Sequence, residues 1–242
     1  MRHVFHFTFP GLLLTALSAC GGGGGGVGGV GSAMQSSQPP QNLESVPAAA
    51  EPFSVGATLW ASSGGNSYAG NYSETPNKGT TMFDGQEAHS STISLTITEN
   101  GTPIVTEIET AYYLENPYQP LGLTLSSNGK HFDFLYNSTN PLPSTLTVGD
   151  SGPLGSGTYY VVNTNNAIGS LTETYAVASS PLGGTSILLT IYATGTVNGQ
   201  SISQAIGYVI NGEAAMGVAS VDIQLNGTTV HFDSSCNGCW DY

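Results

Sequence analysis

Pairs of asparagine and glycine recur along this chain and constrain its fold more than any other sequence feature. The dipeptide occurs six times, beginning at 100, 128, 198, 211, 226 and 237. Several copies separate runs in which apolar and polar residues alternate, such as Ile93–Ile97 and Ile104–Ile108. Because both residues of a tight hairpin turn must adopt positive φ, Asn-Gly between alternating runs predicts antiparallel β-hairpins.

Alternation with a period of two extends over most of the chain after Phe53, whereas helical periodicity is limited to a short stretch, Gly212–Val218. The pattern predicts strands near 55–61, 91–99, 103–114, 121–127, 130–136, 157–163, 171–178, 186–197, 201–210, 218–225 and 228–233. About eleven strands in roughly 190 residues indicate an all-β fold, either an antiparallel sandwich or a barrel of about 10–12 strands.

A weak internal repeat bears on the number of domains. A shift of about 98 residues superimposes two Asn-Gly pairs on two later ones, and with small changes of register Gly70–Thr75 matches Gly169–Thr174 and His131–Asp133 matches His231–Asp233. In each His-Phe-Asp tripeptide, alternation places the phenylalanine in the core and the other two side chains outside. Two explanations fit: a tandem duplication with halves at about 53–150 and 151–242, or independent hairpins that share turn chemistry.

The N-terminus has the parts of an export signal in the required order. Arg2 precedes an apolar segment, Val4–Leu17, of about 14 residues, which is shorter than the roughly 20 that a membrane-spanning helix needs. The tetrapeptide Leu17–Cys20 then resembles the lipobox of bacterial lipoproteins. The resemblance covers residues 1–20 and implies a signal peptide at 1–19, acyl chains such as palmitate on Cys20, and a lipid-anchored protein of the cell envelope. In that family Gly21 favours the outer membrane. An ordinary signal peptide beside an unrelated cysteine is the alternative.

Residues 20–52 are expected to form a flexible tether. The segment from Gly21 to Gly31 is nearly all glycine, and the following residues are rich in Ser, Gln, Pro and Ala without apolar periodicity. A flexible coil of this length spans roughly 30 Å on average. The expected organisation is therefore signal peptide, tether, and an all-β domain at 53–242.

The charge of the chain excludes one class of partner. Removal of Arg2 with the signal peptide would leave Lys78 and Lys130 against sixteen acidic residues. Such a surface repels phosphate backbones and anionic headgroups, so we expect no nucleic-acid binding and membrane contact only through the lipid. A glycan or another envelope protein remains as a partner, and the sequence leaves the oligomeric state open.

Two cysteines near the C-terminus are candidates for a disulfide. If Cys20 carries lipid, Cys236 and Cys239 are the only other thiols, and in an oxidising compartment they are expected to pair with each other. A redox-active pair and a zinc site that includes His231 are alternatives, although neither a helix N-terminus nor a convincing fourth zinc ligand follows from the sequence.

Aromatic residues at predicted strand ends suggest a ligand-binding face. A flat ring beside short hydrogen-bonding side chains is suited to a carbohydrate or another small ligand. The candidate binding residues are Trp60, Tyr112, Tyr113, Tyr159 and Tyr160. The competing interpretation is that these rings fill the core of the β domain.

The segment Gly149–Gly152 resembles the nucleophile loop of chymotrypsin-like serine proteases, with Ser151 as the nucleophile and His89 and Asp133 preceding it in the family order. The resemblance covers four residues, and an ordinary turn explains them equally.

These observations predict a binding or structural protein of the cell envelope, more consistent with a non-enzyme than with an enzyme. A carbohydrate or small-ligand binding module is the first alternative and a serine hydrolase the second. The sequence predicts no set of catalytic residues, no metal site and no cofactor.

Overall fold

The computed structural model describes residues 41–42, 55–114, 119–127, 130–143, 145–162, 164, 166–180, 186–210, 216–225 and 228–236. The strands are β1 (Gln41–Asn42), β2 (Val55–Ser63), β3 (Asn66–Pro76), β4 (Thr81–Phe83), β5 (Gln86–Glu99), β6 (Thr102–Leu114), β7 (Gln119–Ser127), β8 (Lys130–Thr139), β9 (Thr145–Leu146), β10 (Ser151–Val161), β11 (Ala167–Ser179), β12 (Ile187–Val197), β13 (Gln200–Ile210), β14 (Met216–Leu225) and β15 (Thr228–Cys236). No helix occurs among these residues. The predicted all-β fold is confirmed.

Twelve strands form the wall of a closed antiparallel barrel. Their order is β3-β2-β15-β14-β13-β12-β11-β10-β8-β7-β6-β5, and β5 pairs with β3 to close the wall. Closure pairs both edges of every wall strand. The structure therefore has the barrel, rather than the sandwich, of the two predicted architectures. Outside the wall, β4 pairs with the beginning of β5, and β1 pairs with β9.

The hairpin turns have the conformation that the Asn-Gly pairs predict. Asn100 and Gly101 have φ values of 50° and 83°, and Asn198 and Gly199 have values of 50° and 73°. These turns join β5 to β6 and β12 to β13, so two predicted hairpins are confirmed. The other four Asn-Gly pairs lie outside the described residues.

Side chains fill the interior of the barrel, which we call the lumen. Tyr208, Phe134 and Phe232 are all fully buried in a single hydrophobic cluster. The ring of Phe134 packs directly onto Gly157 of β10, where the missing side chain makes room for it. The lumen is thus a packed core of interdigitated side chains.

The connection from β8 to β10 packs against the hydrophobic core of the barrel. Its residues Leu142 and Leu146 are buried and belong to the same hydrophobic cluster as the lumen side chains. Hydrogen bonds fix its two ends, from Asn140 N to Leu154 O and from Gly149 N to Val177 O. We call residues 140–150 the plug. Its strand β9 pairs with β1, which lies in the segment 20–52 that the sequence predicts to be unpaired tether.

The wall repeats one connectivity twice. The first unit consists of β2, β3, β5, β6, β7 and β8, and the second consists of β10 to β15. The first strand of each unit pairs with the last strand of the other, β2 with β15 and β10 with β8. Gly70 and Gly169 occupy matching positions, where an added Cβ would lie 2.7 Å from Thr96 O and 2.1 Å from Thr196 O, respectively. A tandem duplication would produce this correspondence, and the duplication stays a prediction. The two halves close one barrel together.

Sequence patterning missed β3 and suggested a short helix that is not formed. Strand β3 buries Tyr68, Gly70, Tyr72 and Glu74. Because a glycine and a glutamate occupy inward positions, the strand lacks the apolar alternation that reveals its neighbours. In the proposed helical stretch 212–218, the described residues from 216 onward belong to β14 instead, where hydrogen bonding to β13 fixes an extended backbone.

Candidate functional site

Four glutamates face the lumen instead of solvent. Glu74 lies on β3, Glu107 and Glu109 on β6, and Glu173 on β11, and each is at most 2% exposed. Glu107 and Glu109 flank Ile108, which points outward and is 54% exposed. We call these four side chains the lumen acid cluster. Burying acidic side chains among apolar ones is costly, so this arrangement calls for an explanation.

Strand register places the cluster at corresponding points of the two units. Glu74 and Glu109 lie on either side of the same residue of β5. Glu173 and Gln204 lie on either side of the same residue of β12. Each unit therefore contains a buried glutamate at a corresponding position, and Gln204 stands where the first unit has a second acidic side chain.

The cluster extends across the lumen. Burial raises the pKa of Tyr72 well above its ordinary value, with further upward contributions from Glu74, Tyr208 and Glu109. Tyr72 Oη also donates a hydrogen bond of 3.2 Å to Glu74 Oε2. Because β3 and β13 are separated by three strands of the wall, the interaction of Tyr72 with Tyr208 crosses the interior.

Tyr159 connects the remaining members. Burial raises its pKa well above the ordinary value, and the charges of Glu109, Glu173 and Glu107 raise it further. These three glutamates come from β6 and β11, which lie on opposite sides of Tyr159 in the wall. The phenol of Tyr159, only 3% exposed, is therefore directed toward a group of carboxyls.

Glu173 is the member whose protonation is best defined. Burial raises its pKa from 4.5 to about 8, against the opposing effect of a hydrogen bond from Tyr136. Tyr136 Oη donates to Glu173 Oε2 over 2.5 Å. Since burial outweighs the hydrogen bond, Glu173 is predominantly protonated and uncharged at neutral pH.

Several polar atoms around the cluster have no hydrogen-bond partner among the described residues. They are Ser91 Oγ, Tyr159 Oη, Glu173 Oε1 and Gln204 Oε1. A buried polar atom without a partner costs about 1–3 kcal/mol relative to its hydrated state. The fold thus retains a polar interior at an energetic cost.

The described side chains include a single basic one and no metal site. Lys78 is the only Lys or Arg whose side chain lies in the described part of the chain, and it is exposed. Within the described ranges, no three His, Cys, Asp or Glu side chains are arranged as metal ligands.

A second polar group lies on the outside of the barrel, where three adjacent strands present an aromatic ring and charged side chains. Trp60 of β2 is 47% exposed and lies opposite Asp233 of β15. His231 of β15 is bonded through Nδ1 to Asp222 Oδ1 at 2.6 Å, and its Nε2 lies 3.7 Å from Asp233 Oδ1. We call Trp60, Asp222, His231 and Asp233 the Trp60 patch.

The five predicted ligand-binding residues do not form one surface. Tyr113 and Tyr159 are buried, the latter in the lumen, whereas Trp60 lies on the outer face. Tyr112 is partly exposed and stacks on Phe83 of β4, with ring centroids 4.1 Å apart. Tyr160, beside Tyr159 in sequence, points to the opposite side of the wall. Trp60 lies opposite Asp233, and Tyr160 lies opposite Asp133, so each of these two outward rings has an acidic neighbour.

The three residues of the proposed hydrolase triad are not brought together. Asp133 pairs with Tyr160 near one end of β10, whereas Ser151 begins that strand at the other end. Nine strand residues separate the two positions by roughly 30 Å. His89 lies against Tyr113 on β5 and β6. The Asp150 carboxylate instead accepts a hydrogen bond from Thr147 N, which closes an ordinary turn.

The cysteine predictions lie largely outside the described residues. Cys20 and Cys239 are not described, and for Cys236 the structure gives only the backbone, which pairs with Ala57. Lipidation and the disulfide therefore stay predictions.

Comparison with known proteins adds no relative. No protein-family model matches this chain, and neither a curated protein nor a solved structure is similar to it. Among the described residues, no helix is long and apolar enough to cross a membrane.

The lumen acid cluster is the feature that sequence reasoning missed. Two signals for it were present. The matching segments Gly70–Thr75 and Gly169–Thr174 each contain one of its glutamates. Glu107 and Glu109 also lie two and four residues after Val105, so period-two alternation places them on the same buried face of β6 as Val105.

Proposed function

We propose that this protein is a lipid-anchored protein of the bacterial cell envelope that acts as a binding module through the outer face of its barrel. The lipobox-like segment Leu17–Cys20 supports the anchor. The packed lumen supports the second part, since a core filled by Phe134, Tyr208 and Phe232 directs ligand recognition to the exterior.

The Trp60 patch is the observation that favours binding over a purely structural role. A half-exposed indole offers an apolar face to a ligand ring, and Asp233, His231 and Asp222 offer hydrogen-bonding groups beside it. This combination suits a neutral carbohydrate, for which stacking and short hydrogen bonds supply the affinity.

The patch can be tested with matched variants. The purified protein is titrated with peptidoglycan fragments and neutral oligosaccharides by isothermal calorimetry, alongside Trp60→Ala and Tyr192→Ala. Tyr192 of β12 is a comparably exposed ring, at 42%, outside the Trp60 patch. We expect Trp60→Ala to abolish measurable binding and Tyr192→Ala to leave it unchanged.

Equal loss of affinity in both variants would contradict a site at Trp60. If no glycan binds the wild-type protein, the carbohydrate assignment is wrong, and a structural role or a protein partner takes its place.

A further inference from the structure

The Trp60 patch contains two hydrogen-bond acceptors that face each other, Nε2 of His231 and Oδ1 of Asp233. We propose that this pair binds two neighbouring hydroxyls of one sugar ring, that Asp222 positions the imidazole for this contact, and that acid closes the site. The inference rests on the proposed binding function and adds to it which part of a carbohydrate is recognised.

Asp222 determines which nitrogen of His231 carries the proton. Nδ1 of His231 lies 2.6 Å from Oδ1 of Asp222, which stands opposite it on the neighbouring strand β14. A carboxylate only accepts hydrogen bonds, so Nδ1 must be the donor. In a neutral imidazole the other nitrogen then has a free lone pair. Nε2 of His231 is therefore an acceptor.

The two acceptors cannot satisfy each other while the imidazole is neutral. Nε2 of His231 and Oδ1 of Asp233 are 3.7 Å apart, which is too long for a hydrogen bond. The side chains of His231 and Asp233 are 58% and 66% exposed, so both atoms can be reached from solvent. Their hydrogen-bond donors therefore have to come from water or from a ligand.

Two hydroxyls on adjacent carbons of a sugar ring fit this pair. When such hydroxyls are gauche, their oxygens lie somewhat closer together than the 3.7 Å between the acceptors, so each hydroxyl can donate to one acceptor. Asp233 lies opposite Trp60 in the strand register, which places the acceptor pair beside the indole. A sugar ring stacked on Trp60 would thus have its apolar face and its hydroxyl edge recognised together.

A second proton on His231 ends this recognition. The charged groups of the strands packed against the imidazole are Asp222 of β14 and Asp233 of β15 itself, since β2 carries no charged residue. The doubly protonated ring donates from both nitrogens, so Nε2 becomes a partner for Asp233 and both acceptors are used within the protein. Because an imidazole ordinarily gains this proton between about pH 8 and pH 5, binding should weaken as the pH falls through that range.

The first unit contains the same tripeptide without the positioning acid. His131 and Asp133 of β8 match His231 and Asp233 in sequence, but Ser126 stands opposite His131. A serine hydroxyl both donates and accepts, so it does not select one tautomer of the imidazole. His131 is exposed as well and provides the matched control.

NMR of the full chain with ¹⁵N-labelled histidine at pH 8.5 tests the tautomer without any ligand. We expect His231 to be protonated on Nδ1. Asp222→Asn should let the tautomer protonated on Nε2 appear, because an amide can donate as well as accept, and His131 should not respond to this change. A wild-type His231 protonated on Nε2 would overturn the proposal whether or not a glycan binds at Trp60.

Methyl α-glucopyranoside and its 3-deoxy analogue test the hydroxyl pair, since loss of the 3-hydroxyl leaves no two free hydroxyls on adjacent carbons. In NMR titrations at pH 8.5, we expect wild type and His131→Gln to bind the analogue roughly tenfold more weakly than the parent sugar. His231→Phe should bind both sugars equally weakly. For wild type, affinity for the parent sugar should fall by a similar factor at pH 5.5.

The outcomes separate this inference from the proposed function. Equal affinity for the two sugars, with both lost in Trp60→Ala, would overturn the acceptor pair and leave carbohydrate binding at Trp60 in place. Binding of methylammonium in preference to either sugar would show a cation site instead and refute the inference. Failure of wild type to bind either of these sugars would refute the hydroxyl pair, and failure with every glycan would refute the proposed function too.

Discussion

Replacing Gly157 by alanine should destabilise the barrel more than an alanine substitution at any other glycine of β10. Gly157 faces the lumen, and its ideal Cβ would lie 2.3 Å from Cζ of Phe134 and 2.6 Å from the carbonyl oxygen of Leu135. Ordinary contact begins at 3.4 Å, so the ring must move by about 1 Å and the neighbouring strand by somewhat less.

The magnitude depends on how the core responds. Phe134 is fully buried, packs edge-on against Tyr136 with ring centroids 5.1 Å apart, and packs in a tilted arrangement against Tyr159 with centroids 4.7 Å apart. A shift of backbone and rings together costs roughly 1–3 kcal/mol, and full displacement of the phenylalanine ring costs 3–5 kcal/mol. Because the obstruction includes backbone as well as ring, we expect a loss of about 3 kcal/mol in the free energy of unfolding.

Urea unfolding followed by circular dichroism measures this change. Gly56→Ala is the matched control, since its Cβ would lie 4.0 Å from the nearest atom, Tyr72 O, and its φ is not positive. The control should leave stability unchanged or raise it slightly. Combining Gly157→Ala with Phe134→Leu should recover part of the loss, because the smaller side chain removes the closest contact. A Gly157→Ala protein as stable as the Gly56→Ala control would refute the packed-lumen account.

Three further changes test other parts of the structure. Tyr136→Phe removes the hydrogen bond that lowers the pKa of Glu173, so the pKa of Glu173 should rise further. NMR titration of the Glu173 side-chain carboxyl measures this change, and a downward shift would contradict the assigned roles. Gly199→Ala places a side chain at a φ of 73° and should cost about 1 kcal/mol of stability in urea unfolding, despite open space around the new methyl group; no loss would count against the left-handed turn. Cys20→Ser should move the protein from the membrane fraction to the released fraction, and continued membrane association would contradict the lipid anchor.

The strand predictions succeeded where local chemistry decides structure. All eleven predicted strands overlap strands of the barrel, and the turns at Asn100 and Asn198 have the expected positive φ. A hairpin turn depends on the conformational freedom of two adjacent residues, which is visible in any sequence. Strand β3 was missed because its inward side carries Gly70 and Glu74, whose environment is set by strands distant in sequence.

The inward face of β6 is a second feature that the local sequence does not predict correctly. Alternation around Ile104 and Ile108 suggests that those residues are buried and that Glu107 is exposed. A β-bulge between Ile97 and Thr98 shifts the register, so that Val105 opposes Ile97 instead. One unpaired residue moves every following side chain to the opposite face, and the glutamates enter the lumen.

The sequence by itself determined that the chain forms antiparallel hairpins and where eleven of its strands lie, because turn chemistry and two-residue periodicity are local properties. Its N-terminal segment also carries the prediction of export and lipidation, which rests on a linear motif. Only the tertiary structure decided that the two units close one barrel, which face of each strand turns inward, and that Glu74, Glu107, Glu109 and Glu173 share one interior. Closure and register depend on pairing between distant strands, and the protonation of a carboxyl depends on the environment that this pairing creates.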